Sequence, residues 1–112
     1  MMIEETILGY LSQNMTVPCY MMRPETLPEK YIVIEKTGSS AENRITTSTI
    51  AIQSYAGKLA QAALLNEEVK AAMDGIVALN SVSNVALVSD YNFTNTETKQ
   101  PRYQAVYEIT HY

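Results

Sequence analysis

Catalytic and metal chemistry have little to work with in this chain: its 112 residues include one cysteine, Cys19, one histidine, His111, one phenylalanine and no tryptophan. A lone cysteine excludes an internal disulfide and fits a reducing compartment. Cys-x-x-Cys and His-x-x-x-His spacings are missing, so a closed zinc site lacks its ligands. Cys19 and His111 could form a nucleophile and base only if folding happened to bring them together; a small buried thiol and a terminal imidazole are the plain alternative. The four glycines, Gly9, Gly38, Gly57 and Gly75, are scattered and build no phosphate-cradling loop. Positive charge is also scarce, with 8 basic against 12 acidic residues and a formal net charge of -4. The basic residues stand singly, which argues against sequence-specific nucleic-acid binding and against a polybasic membrane patch. No apolar run approaches the about 18 residues of a membrane span, and Glu4-Glu5 stand where a signal peptide carries bases. The expectation is a protein that is cytosolic when made, with no cofactor, no metal and no catalytic residue.

What is present suits a packed core. Hydrophobic residues make up 46% and charged ones 18%, enough apolar material for one domain of this length. Ile3, Ile7, Tyr10 and Leu11 recur at helical spacing, Glu4 and Glu5 suit a first turn, and Asn14 can close the end, which predicts a helix over 2–13. The short extended stretch Thr16 to Met22 contains Pro18, which restricts it to a sheet edge or a strand start. Tyr31 to Lys36 is β-branched and nearly continuously apolar, as in a strand covered on at least one face. Arg44 to Tyr55 alternates, but Ile45 falls on odd positions and Ile50 and Ile52 on even ones, which calls for a twist or bulge near Thr47 to Thr49. Leu59, Ala62, Ala63, Val69, Met73, Ile76 and Val77 mark one face of a longer helix ending about Leu79, with Gln61, Glu67, Glu68, Lys70 and Asp74 toward solvent. Strands follow over 85–92 and 102–112. The predicted fold is α+β: a single domain, order α-β-β-β-α-β-β, with a mostly antiparallel sheet covered by two helices.

Two polar segments stand out between strands. Gly38 to Asn43 has turn chemistry, and 93–101 is too long for a tight hairpin and too polar for core. Both are expected to project and to be mobile in the free subunit. Asn14-Met15-Thr16 and Asn92-Phe93-Thr94 match the glycosylation pattern, which without a secretory route is chance. Eight tyrosines, with Tyr91, Tyr103, Tyr107 and Tyr112 in the last two strands, suit either a half-exposed sheet face or a wet protein interface.

The run Ser89-Asp90-Tyr91-Asn92-Phe93-Thr94-Asn95-Thr96-Glu97-Thr98-Lys99, followed by Arg102-Tyr103-Gln104-Ala105-Val106-Tyr107-Glu108-Ile109, resembles the C-terminal hairpin of small tail proteins from long-tailed phages and prophages of low-GC Gram-positive bacteria. Ile34-Glu35-Lys36-Thr37-Gly38, with Ala51-Ile52-Gln53-Ser54-Tyr55-Ala56 ahead of a helix, is similar in the same way. The similarity covers nearly the whole chain, and the element order agrees with the tail terminator family. The resemblance implies a ring, six-fold in that family, that caps the finished tail tube, stops addition of tube subunits and offers a docking surface to the filled head. It implies three partners: further copies of the chain, the tail tube protein and the head-tail connector protein. It also implies assembly in the bacterial cytoplasm, a final place at the head-proximal end of the virion tail, and no enzyme activity. A head-closure or neck protein is the nearest competing reading, and a small ligand-binding α+β domain, marked by an apolar pocket with converging polar groups, is the competitor from another class. The candidate assembly contacts are Gly38, Ser39, Ser40, Glu42, Asn43 and Arg44 in one polar segment and Thr94, Asn95, Thr96, Glu97, Thr98 and Lys99 in the other.

Overall fold

A computed structural model describes residues 2–26, 28–94, 97 and 99–112. Helix α1 spans Ile3–Asn14, and its four-residue apolar spacing buries Ile3, Ile7 and Leu11 on one stripe. The helix stops where Met15 turns extended, and the Asn14 side-chain amide donates to the Tyr10 carbonyl over 2.8 Å. Strand β1, Cys19–Tyr20, lies parallel to β2 at the sheet edge, as Pro18 requires. Pro18 contributes only its carbonyl, which accepts the Ile32 N–H over 2.9 Å. Then come β2 (Tyr31–Glu42), β3 (Ile45–Tyr55), α2 (Leu59–Met73), a 3₁₀ turn (Ile76–Ala78), β4 (Val82–Asn92) and β5 (Arg102–His111). The strands lie side by side in the order β1-β2-β3-β5-β4, and every pairing except β1 with β2 is antiparallel. The fold is therefore α+β with the expected order of elements.

Both helices pack on one face of the sheet. Ile32 and Ile34 of β2, Ile50 and Ile52 of β3, Ala105, Tyr107 and Ile109 of β5, and Val82 of β4 meet Ile7, Leu11, Leu65, Val69, Met73 and Ile76 in one core. Each fully buried aliphatic side chain contributes about 1.5–3 kcal/mol, so this layer dominates the stability. The apolar run Tyr31 to Ile34 is covered on both faces, because Tyr31 and Val33 point away from the helices and pack with Tyr55 and Tyr20. Cys19 packs against the helix-side core, and burial pushes its thiol up, partly offset by a hydrogen bond with Ser12. It is a small, half-buried side chain filling space beside that core. Cys19→Ala is expected to leave the soluble yield and the circular-dichroism melt near wild type; a large loss of either would show that the thiol does more than fill space.

Four sequence expectations need correction. Gly38 to Asn43 is no loop: β2 continues through Gly38, Ser39, Ser40 and Glu42 in a ladder with β3, and the turn is Asn43-Arg44 alone. Those two residues have φ of 53° and 66°, the left-handed pair of a tight hairpin whose twist matches the strands, and Asn tolerates that region well. Polar side chains on an exposed ribbon imitate loop composition, while the backbone hydrogen bonds are those of a strand. The bulge lies not in β3 but in β2, between Lys36 and Gly38, opposite Ile50 and Thr49. Helix α2 stops at Met73, six residues before Leu79, and its buried stripe is Ala62, Leu65, Asn66, Val69 and Met73, leaving Leu59 and Val77 exposed. Gly75 follows this end because a Cβ there would stand 2.8 Å from the Tyr10 hydroxyl, which donates to the Ala72 carbonyl and ties α1 to α2. Strand β4 begins at Val82, three residues before Val85.

Strand β4 carries two further register shifts, between Val82 and Asn84 and between Leu87 and Ser89, and the latter decides how that edge strand meets α2. The extra residue, Val88, shifts the side-chain alternation so that Asp90 faces the helix. There the Asp90 carboxylate accepts from Asn66 Nδ2 at 3.3 Å and Lys70 Nζ at 3.1 Å, and Lys70 also pairs with Glu67 at 2.8 Å. These bonds, the one to Glu67 first, hold the Lys70 ammonium above its ordinary pKa. Beside them Tyr107 is pushed up to about 12, first by burial and then by the negative charge of Asp74. Unfolded tyrosine ionises near 10, so the stability due to keeping Tyr107 neutral is complete below pH 10 and drains away as pH rises through about 12. In urea titrations, the wild type should lose more stability than Tyr107→Phe across that window; parallel losses would show that Tyr107 is not protected from ionisation.

Candidate interaction face

The face of the sheet turned away from the helices carries two rows of side chains set by strand register. In one, Val33 of β2, Gln53 of β3, Gln104 of β5 and Tyr91 of β4 stand abreast. In the next, Tyr31, Tyr55 and Arg102 are abreast, and Phe93 joins them because its N–H donates to the Arg102 carbonyl over 2.8 Å. Side chains two apart on a strand share a face, so the rows touch.

A directional chain of hydrogen bonds links them. Arg102 donates to the Tyr55 hydroxyl at 3.0 Å, Tyr55 to Gln53 Oε1 at 3.1 Å, Gln53 to Gln104 Oε1 at 2.9 Å, and Gln104 to the Tyr91 hydroxyl at 2.7 Å. Gln53 and Gln104 are buried, so each would be costly without its partners. The aromatics are ordered around this chain. Tyr31 and Tyr55 stack at 4.5 Å, Tyr91 and Phe93 meet edge to face at 5.6 Å, and the Arg102 guanidinium lies 4.3 Å from the Phe93 ring centre. Such contacts contribute about 0.5–1.5 kcal/mol each beyond burial and hold the side chains rigid. Gln100 extends the network, donating to the Tyr31 hydroxyl at 3.1 Å and accepting from Arg23 at 3.3 Å. The outer end is open to a partner: Tyr91 and Phe93 are 38% and 40% exposed.

Of the four tyrosines of the last two strands, Tyr91 lies on this face, while Tyr103 stands abreast of Ser54 and Ile32 on the helix side. Tyr107 points to the helices and is core, while Tyr31, Tyr55, Gln53, Gln104 and Arg102, none of them among the candidate contacts, build the network. A readable signal was there: Gln53 with Tyr55, and Arg102 with Gln104, each put two polar or aromatic groups on the same side of a strand.

The candidate assembly contacts separate into two groups that the fold does not bring together. Gly38, Ser39, Ser40, Glu42, Asn43 and Arg44 are exposed at the sheet end shared with Val82 and His111. Thr94, Glu97 and Lys99 belong to the connection at the other end, beside Tyr31 and Tyr55; Asn95, Thr96 and Thr98 lie outside the described residues. Thr94 closes its own end of that connection: its N–H and hydroxyl donate to Asn92 Oδ1, and its hydroxyl accepts the Arg102 N–H at 3.2 Å. The apparent glycosylation pattern at Asn92 is therefore turn chemistry.

Cys19 and His111 stay apart, Cys19 on the edge strand at Ile32 and His111 abreast of Thr46 and Val82. His111 Nε2 instead lies 2.8 Å from the hydroxyl of Ser48, which is buried. Among the described residues there is no His, Cys, Asp and Glu cluster able to hold a metal, and no helix is long and apolar enough to cross a membrane. Compared with known proteins, the chain matches no family model and no curated sequence.

Proposed function

We propose that this chain is the subunit of a tail terminator: a ring of copies, six in the family it resembles, that caps a phage tail tube and presents a docking surface to the head-tail connector. The observation that carries the reading is the placement of two different polar ends on one elongated subunit, whose longest dimension is 43 Å. A cap touches the tube on one side and the connector on the other. The Asn43-Arg44 hairpin end and the end that carries Thr94 and Lys99 lie at opposite ends of the same sheet, so one subunit reaches both partners. The buried Gln53 and Gln104 network between them stiffens the path. The α-β-β-β-α-β-β order and the long Val82–His111 hairpin, which includes the residues of the resemblance, support the same reading. The subunit would assemble in the bacterial cytoplasm and act through surfaces, without enzyme activity.

The direct test is genetic removal followed by electron microscopy. Lysates without the gene are expected to hold filled heads beside tails of uncontrolled length or tails unable to join heads, and supplying the wild-type gene should restore whole particles. Replacing 95–99 by two glycines keeps Thr94, which caps the connection, and should spare folding while reproducing the tail defect. Tails of normal length on intact particles without the gene would overturn the reading.

A further inference from the structure

We infer that the β4 edge of one subunit pairs with the free β2 edge of a second copy, head to tail. Strand β4 is the last in the sheet, and beyond Val82, whose N–H donates to the Leu79 carbonyl, its outer side has no neighbouring strand up to Asn92. Exposed edges are normally blunted by Lys, Pro or charge, because a row of unpaired N–H and C=O groups is a template for another strand. This one has no Lys, Arg or Pro, and its single acid, Asp90, is turned by the Val88 bulge onto Lys70 and Asn66. Leu87, Val88 and Tyr91 remain 46%, 56% and 38% exposed along it. An edge whose one charge is already paired, with Leu87, Val88 and Tyr91 open to solvent, is suited to being covered.

The same molecule supplies a fitting strand. At the opposite side of the sheet β1 pairs only with Ile32 and Val33, so Ile34 to Glu42 of β2 is a second unpaired edge of similar length. Within one subunit β2 and β4 run in opposite directions, since three antiparallel pairings separate them. A neighbour related by rotation about an axis along the strands therefore offers its β2 antiparallel to β4, the better hydrogen-bonding arrangement. Pairing β2 with its own copy would crowd the Glu35, Lys36 and Glu42 charges of both copies along one seam, whereas β4 brings only Asp90, which is already paired with Lys70. Two-fold pairing of β4 with β4 would leave both β2 edges bare, while head-to-tail pairing in a closed ring covers both the β4 edge and the Ile34 to Glu42 edge of each copy. The inference deepens the ring reading above and rests on it for closure.

Light scattering coupled to size exclusion, with far-ultraviolet circular dichroism as the folding check, tests it. Ala86→Lys with Val88→Lys on β4, and Ser39→Lys with Ala41→Lys on β2, change exposed positions only. Wild type should run as an oligomer and each double variant as a monomer. An equimolar mixture of the two variants should give a dimer and nothing larger, because one intact β4 edge then meets one intact β2 edge. Either variant keeping the wild-type mass overturns the inference, as does a wild type that stays monomeric at every soluble concentration. Hydrogen exchange on the wild type reads the same contact without variants: amides of 83–92 and 34–42 should be protected in the oligomer and lose protection on dilution, and unchanged exchange counts against the pairing. The tail-length assay separates the two proposals. Rings built through these edges that leave tails unregulated overturn the terminator reading alone, and normal tails made with the β4 variant overturn the edge pairing alone.

Discussion

Met73→Asp is expected to unfold the protein. Met73 is fully buried in the last turn of α2, in the core with Val69, Ile76, Ile7 and the helix-facing residues of the sheet. A carboxylate there would sit among apolar side chains with no designed partner, at a cost of several kcal/mol even after its pKa rises to neutralise it. The whole stability of a domain this size is about 5–15 kcal/mol, so a loss of that order removes the folded state or leaves it barely populated at 37 °C. Ala60→Asp is the control, since Ala60 is exposed in the first turn of the same helix, where the dipole favours an acid. A circular-dichroism melt should be cooperative and near wild type for Ala60→Asp and absent or strongly lowered for Met73→Asp. A melt of Met73→Asp that overlays the wild type would refute the packing of α2 on the sheet.

The second large effect lies on the other face. Gln53→Leu should cost about 2–4 kcal/mol, because it orphans two partners at once: Gln104 Oε1, which loses its donor, and the Tyr55 hydroxyl, which loses its acceptor. Both partners belong to buried residues, so water does not readily replace Gln53. The informative variant is Gln53→Leu with Gln104→Leu. It removes both amides, leaves Tyr55 with Arg102, and leaves the Tyr91 hydroxyl, on a partly exposed residue, to water. The double variant should therefore be more stable than the sum of the single costs by about 1 kcal/mol or more. Urea midpoints of the four proteins complete the cycle. Additive losses would mean that the two glutamines do not act as one network.

Periodicity was enough for the helix-covered layer. Ile3, Ile7 and Leu11 at helical spacing, the β-branched Tyr31 to Ile34 run and the alternation of 102–112 each determine an element locally, because one face of each must be buried whatever it packs against. Pro18 likewise determines an edge position through its missing N–H. Long-range pairing decided the rest. Gly38 to Glu42 is strand because β3 supplies its hydrogen-bond partners, which no local polarity pattern reveals. Asp90 faces α2 because a bulge at Val88 reverses the alternation after Leu87, and that shift is set by β5. The interaction face depends on register across four strands: Gln53, Gln104 and Tyr91 come from segments up to 51 residues apart and meet only when each strand is aligned with the next. Composition and spacing thus determined which surfaces had to be buried, and the tertiary structure alone decided which polar groups stand side by side, because hydrogen-bond networks depend on register and register is a property of paired strands.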